Sequence, residues 1–262
     1  MKKIIKKLDV IPKSLSVLDS PPKSLYYVGD SSLLSQRMVS VVGTRRPSNY
    51  TKEWTAKLAK ALSKAGFVVV SGGAMGVDAI AHQNSFPNTI AVLANSLDFF
   101  YPAVNEKLLS NIYKNSLAIS EYEKDFKARP YTFVHRNRLV VGLGECLIVT
   151  EADENSGSLR SVEFALKQGK KVFVLPHRLG ESKGTQKLVQ EGKAEIIYSI
   201  DTFISQFFTI FDTYKESYHD EILKFCKSSP SLDEALKKFG SKIYEYELEG
   251  KIEIKNLKVF II

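Results

Sequence analysis

Val68-Val69-Val70-Ser71-Gly72-Gly73-Ala74-Met75-Gly76-Val77-Asp78-Ala79 is the stretch that decides the fold. A β-branched apolar run stops at a serine and a glycine-rich turn, and helical spacing follows. This is the pattern of strand, tight turn and helix. Such a junction suits an anion, because successive N–H groups converge there and the helix dipole favours negative charge. The stretch is neither GxGxxG nor GxxxxGK[ST]. By itself it leaves open a nucleotide, a dinucleotide, a nucleic acid backbone, or a turn with no ligand.

The same rhythm extends outward in both directions. Val39–Val42 is a buried-strand signal that ends at Gly43-Thr44-Arg45-Arg46-Pro47-Ser48. Trp54, Leu58, Leu62 and Ala65 follow at helical spacing, with Gly66 at the helix end. Further short apolar runs lie at Thr89–Leu93, Leu117–Ser120, Cys146–Thr150 and Lys171–Leu175. Helical stretches separate them near 104–115, 132–143 and 158–168, and a short helix at 184–191 precedes a final strand at Ile196–Tyr198. Strands alternating with helices predict a parallel sheet covered on both faces. Ligands of such sheets bind beyond the carboxyl ends of the strands.

Flanking this region, residues 1–37 read as an irregular lead-in with one edge strand near Leu25–Val28. A helix is expected at Asp201–Phe208 and a linker at 209–217. Residues 218–262 then read as helices at 219–227, 232–239 and 241–249, followed by a hairpin turning at Asn256. Ser231 and Glu234 form a capping-box sequence. Three helices and a hairpin is the winged-helix order. Glu245, Glu247 and Glu249 outnumber Lys242 on its third helix, which favours protein contact or packing over phosphate contact.

The 262-residue chain carries a formal charge of +8. Nine basic and nine acidic side chains follow Thr213, so the whole excess lies before it. A basic large domain points to a polyanion. Cys146 and Cys226 make neither a disulfide framework nor a zinc pattern, and the basic start is interrupted by charge too early for a signal peptide. A soluble, cytoplasmic protein with no membrane segment is expected. His82, His135, His177 and His219 are scattered, and GxSxG and HExxH are absent. An ATPase, a triad hydrolase and a zinc enzyme are thereby disfavoured, and no cofactor is expected.

Every candidate site residue falls at a strand end. Arg45 and Arg46 are suited to fork onto phosphate oxygens. Asp78 reads as a base, a metal ligand or, preferably, a carboxylate bracing the loop. The aromatics of Ser96-Leu97-Asp98-Phe99-Phe100-Tyr101-Pro102 serve as stacking faces or as core. Lys124, Lys127 and Arg129 interleave with Tyr122 and Phe126 after Ser120. The run Phe133-Val134-His135-Arg136-Asn137-Arg138 opens a helix with basic residues that oppose its dipole, which calls for a compensating anion. Glu151-Ala152-Asp153-Glu154-Asn155-Ser156-Gly157-Ser158 is a second phosphate nest or a simple N-cap.

Taken in order, Gly43-Thr-Arg-Arg-Pro, Ser71-Gly-Gly-Ala-Met-Gly-Val-Asp, Ser96-Leu-Asp-Phe-Phe-Tyr-Pro, Ser120-Glu-Tyr, Arg136-Asn-Arg, Glu151-Ala and Ser156-Gly-Ser-Leu resemble the DNA-processing protein A (DprA/Smf) family. The resemblance covers about 41–190. It implies an α/β, extended Rossmann-like, doubly wound sheet over 38–208, with a small winged-helix-like C-terminal domain over 218–262. It implies no catalysis. The implied role is single-stranded DNA binding that protects incoming DNA in natural transformation (competence) and recombination. The implied partners are a RecA-type recombinase and a second copy, paired through the Rossmann-like domain. Carried over residue by residue are Arg45, Arg46, Gly72, Gly73, Gly76, Lys124 and Phe126, and the expected DNA-binding set adds Ala74, Arg136 and Asn137. Many members have an N-terminal SAM-like domain, for which residues 1–37 are too short. Ala94, Ser96 and His177 stand where members commonly have glycine, and Gly184-Thr185 where they have Gly-Asn.

Two alternatives follow from the same residues. The sheet with Gly-Gly loops is similar to lysine-decarboxylase-like phosphoribohydrolases, which process nucleotides, although Glu151–Ser158 matches their PGGxGTxxE loop poorly. A winged-helix transcription factor with a sensing domain is the other.

Overall fold

The computed structural model describes residues 4–206, 221–226 and 228–261. The chain divides into two compact units, Met1–Asp201 and Thr202–Ile262. The expected linker at 209–217 lies outside the described residues, as do parts of the helices expected at 201–208 and 219–227.

The first unit begins with β1 (Lys6–Lys7), α1 (Lys13–Ser16) and β2 (Tyr26–Gly29). The alternating region follows as β3 (Met38–Val42), α2 (Asn49–Lys64), β4 (Val68–Ser71), α3 (Val77–Ser85) and β5 (Thr89–Leu93). It continues through α4 (Glu106–Asn115), β6 (Leu117–Ser120), α5 (Pro130–Leu143), β7 (Leu147–Val149) and α6 (Gly157–Lys167), and closes with β8 (Val172–Val174), α7 (Lys183–Gln190) and β9 (Glu195–Ile196). The strands form one sheet in the order β1-β2-β6-β5-β4-β3-β7-β8-β9. From β6 to β9 every pairing is parallel, and β2 joins β6 antiparallel. The expected doubly wound Rossmann-like architecture is therefore present.

Both faces of the sheet are buried, and alternate residues divide between them. Val68, Val70, Ile90, Val92, Leu117 and Ile119 join a core that includes Leu139 and Val140 of α5. Ala91, Leu93 and Ala118 face the other way, against Leu109 and Ile112 of α4. Fully buried aliphatic side chains of this kind each contribute about 1.5–3 kcal/mol.

The lead-in differs from expectation. The strand near Leu25–Val28 is not an edge strand, because β1 pairs outside it. Residues 4–37 also pack into the core, with Leu15 and Leu25 fully buried. Prolines at 12, 21 and 22 break the pattern without preventing this, since Tyr26, Tyr27 and Val28 supply β-formers for the antiparallel partner of β6.

In the second unit, helices Glu221–Cys226, Leu232–Phe239 and Lys242–Leu248 precede a hairpin of Ile252–Lys255 with Lys258–Ile261. Asn256 and Leu257 turn it with φ of 50° and 60°, the left-handed geometry of tight hairpins. Ser231 and Glu234 make the expected reciprocal cap. Ile222, Ala235, Ile243, Ile252 and Val259 form its own core.

Candidate nucleic-acid interface

Because β6, β5, β4, β3 and β7 run parallel and adjacent, their carboxyl-end loops line one edge of the sheet. The outer two of the first four loops lie about 14 Å apart, from three steps at ~4.8 Å. Between β3 and β7 the chain order reverses, so the loops after these strands diverge and leave a crevice. The crevice holds a cleft of about 800 Å³, lined by Arg45, Arg46, Arg136, Asn137, Glu151 and Ser156 among others.

The arginine turn is moored on both sides. Thr44 N–H donates to the Glu151 carbonyl, and Val77 N–H donates to the Thr44 carbonyl. Ser48 N–H and Oγ donate to Glu151 Oε2 at 3.0 and 2.9 Å. Ser48 in turn caps α2 by accepting from Thr51 N–H. Gly76 sits against this turn at φ 76°, where a Cβ would come within 2.6 Å of the Arg45 carbonyl carbon. Held this way, Arg45 and Arg46 are exposed, and neither forms an ion pair among the described residues. The Arg45 guanidinium lies 5.4 Å from the Phe133 ring centroid, and Phe133 lies 5.8 Å from Tyr101. Together they form a cationic-aromatic wall beside a small notch lined by Gly73, Ala74, Met75 and Pro102. The wall's Phe133 could not be separated from core by sequence spacing alone, because its exposure depends on where the arginine turn lies.

In the glycine loop one amide is turned to a carboxylate of the protein itself. Ala74 N–H donates to Asp78 Oδ2 at 3.2 Å. Asp78 is 7 % exposed. Burial pushes its carboxyl above the usual carboxylate range, while Arg136 and the Ala74 and Gly72 amides pull it back down. Arg136 is 5 % exposed. Its guanidinium donates to the Gly72 and Val92 carbonyls and occupies the space that a Cβ at Gly72 would need. Arg136, expected to face DNA, is thus buried beneath the loop, while Ala74 turns its N–H to Asp78 and is itself half-buried on the cleft. Asp78 is the brace that the sequence favoured.

The compensating anions for the basic start of α5 are likewise internal. Arg138 pairs with Glu121 at 2.6 Å and donates to the Ser20 carbonyl, and His135 Nδ1 lies 2.9 Å from Glu121 Oε1. Asn137 is half-buried on the cleft, and its amide makes no hydrogen bond among the described residues. The Glu151–Ser158 segment resolves as a cap, with Ser156 Oγ accepting from Ser158 N–H at 3.1 Å.

Beyond β6, Lys124, Lys127 and Arg129 are exposed and form no ion pair among the described residues. Their loop is tied to the loop after β5, with Ser96 N–H donating to the Phe126 carbonyl and Asp125 N–H to Asp98 Oδ2. Phe126 stacks on Tyr122 at 4.2 Å with planes 8° apart, so one of its faces is covered. Lys124 and Phe126 do not line the 800 Å³ cleft. They stand further along the same edge. Among the described residues no group of three His, Cys, Asp or Glu could hold a metal, and no helix is long and apolar enough to cross a membrane.

Comparison with known proteins places this arrangement. The family model for DNA recombination-mediator protein A matches residues 2–208. The chain belongs to that family. It is 36% identical over 198 residues to DNA processing protein DprA of Bacillus subtilis, covering 73% of this chain and 67% of that one. It is 38% identical over 197 residues to protein Smf of Synechocystis, covering 72% of this chain and 49% of that one. Among solved structures, DNA processing protein A from Helicobacter pylori, described for its single-stranded DNA binding mode, matches with a TM-score of 0.77 and 47% identity over 78% of this chain and 96% of that one. DprA from Streptococcus pneumoniae matches with a TM-score of 0.72 and 35% identity over 78% of this chain and 74% of that one.

Proposed function

We propose that this protein binds single-stranded DNA along the carboxyl edge of its sheet and carries out no chemistry on it. The observation that supports this most is the row of exposed, carboxylate-free cations on one edge, Arg45 and Arg46 at the cleft and Lys124, Lys127 and Arg129 beyond β6. Aromatic faces at Phe133, Tyr101 and Phe126 stand among them, and each base stacked on such a face contributes about 1–3 kcal/mol. Few free side chains are placed to read base edges, so sequence preference is slight. Glu151, the carboxylate that a nucleotide enzyme would use here, is engaged in mooring the arginine turn. The named relatives support a role in DNA processing. The reading extends to protection of incoming DNA in natural transformation, to loading of a RecA-type recombinase, and to a cytoplasmic homodimer paired through the first unit. The second unit, with its winged-helix order and exposed Glu245, Glu247 and Glu249, is read as a protein-contact module.

Gel-shift titration of single- against double-stranded oligonucleotides across salt tests the proposal. Single-strand preference is expected, with a log–log slope of roughly −0.7 per phosphate neutralised. Arg45→Glu or Lys124→Glu weakens binding and flattens the slope, and a chain ending at residue 206 keeps the preference. Equal affinity for both forms, or indifference to both substitutions, refutes it.

A further inference from the structure

The arginine turn separates two recesses. One is the 800 Å³ cleft, whose lining includes the carboxylates of Asp78, Glu151 and Asp153. The other, of about 520 Å³, lies between α2 and α3 and is lined by Arg45, Arg46 and Lys52 with Pro47, Ala79 and Ile80. No acidic side chain lines this outer recess. Lys52 is exposed, donates to Asn49 Oδ1 at 3.2 Å and has no carboxylate partner among the described residues. It also sits near the start of α2, whose first turn contains no acidic residue. A cation there opposes the helix dipole and gains from an external anion.

Electrostatics distinguishes the two recesses as routes for a polyanion. A strand crossing the cleft toward β7 would bring its phosphates to Glu151 and Asp153, where like charges repel. A strand turning over Arg45 and Arg46 meets three cations around an apolar floor. We propose that single-stranded nucleic acid leaves the cleft over the arginine turn and enters this outer recess, where Lys52 holds a backbone phosphate and Pro47, Ala79 and Ile80 lie against the sugars. The aromatic wall of Phe133 and Tyr101 on the other side of Arg45 makes the path continuous. This rests on the single-strand reading given above and adds to it a route and a contact residue.

The test is fluorescence anisotropy of a labelled oligothymidylate with the full chain and its Lys52→Gln, Lys52→Arg and Arg45→Gln variants, titrated from 50 to 200 mM salt. Loss of one phosphate contact lowers the magnitude of the salt slope by about 0.7, so the parent loses about 2.6-fold more affinity across that range than Lys52→Gln does. Lys52→Arg behaves as the parent, and Arg45→Gln shows a loss like that of Lys52→Gln. If Lys52→Gln matches the parent while Arg45→Gln does not, the outer recess is off the path and only the single-strand reading survives. If neither substitution changes affinity or slope, both fail. A loss in Lys52→Arg as large as in Lys52→Gln means local damage and also overturns the assignment.

Discussion

Arg136→Met separates a brace from a DNA contact. The substitution keeps an unbranched stem in a site only 5 % exposed and removes the guanidinium that donates to the Gly72 and Val92 carbonyls. It also strips Asp78 of its facing cation. Leaving a buried carboxylate without its compensating cation, and two buried carbonyls without their donor, costs about 3–5 kcal/mol. At about 2–4 °C per kcal/mol for a chain of this size, Tm falls by about 6–20 °C. Adding Asp78→Asn removes the stranded charge, so the double variant is more stable than Arg136→Met alone, a coupling that thermal unfolding reads directly. The pH dependence follows from the direction of the Asp78 shift. Burial already raises that carboxyl, and Arg136 opposes the rise. Without Arg136 the folded pKa climbs further. A group with a raised folded pKa contributes stability below its unfolded value and loses it as pH rises through the folded one. The Arg136→Met deficit is therefore smallest in acid and widens toward neutral pH. An Arg136→Met protein with the parent Tm and abolished DNA binding would refute this account and make Arg136 a direct contact.

Glu151→Ala removes the acceptor of both Ser48 bonds. It lowers stability by about 1–3 kcal/mol in urea unfolding and weakens single-strand affinity as the arginine turn loosens. Neither it nor the parent releases base from nucleoside monophosphates, and base release by the parent that is lost in this variant would establish a nucleotide enzyme instead. Gly76→Val places a side chain at φ 76° against the Thr44 and Arg45 backbone. A cost of at least about 1 kcal/mol, with loss of single-strand affinity in the same gel-shift assay, is expected. His82 is buried, and desolvation followed by the charge of Arg136 depresses its pKa from 6.5 to about 3. Its stabilising contribution is lost as pH falls through that range, so His82→Gln flattens the acid limb of the pH–stability curve between 6.5 and 3 when measured by urea titration.

The sheet was legible because its signal is local. Short β-branched runs at regular intervals leave few assignments other than parallel strands buried on both faces, and Thr89–Leu93 and Leu117–Ser120 appear with the expected bounds. The lead-in was less legible, because pairing between β2 and β6 is a contact across about ninety residues that no local pattern announces. At the site, residue type and strand-end position located Arg45, Arg46 and Lys124 on one edge. They could not say which way a cation faces. Arg45 and Arg136 look alike as isolated arginines at strand and helix ends, yet one is exposed and the other lies beneath Gly72. The available clue was Asp78, a carboxylate in the first turn of the helix after the glycine loop, which needs a partner once that loop closes over it.

That pairing changes what the glycine loop contributes. The Ala74 amide, which donates to Asp78, is not open to a phosphate while that bond holds. What the loop also supplies is shape. Gly76 allows the arginine turn to rest on it, and Gly72 admits Arg136 beneath it. Asp78 holds the loop through the Ala74 amide, Arg136 holds it through the Gly72 carbonyl, and Glu151 fixes the arginine turn from the side. Two internal carboxylates are used to hold backbone, which leaves Arg45 and Arg46 without acidic partners. Free cations on a moored turn are what a sequence-tolerant phosphate contact requires, because the charge is held in place before the strand arrives.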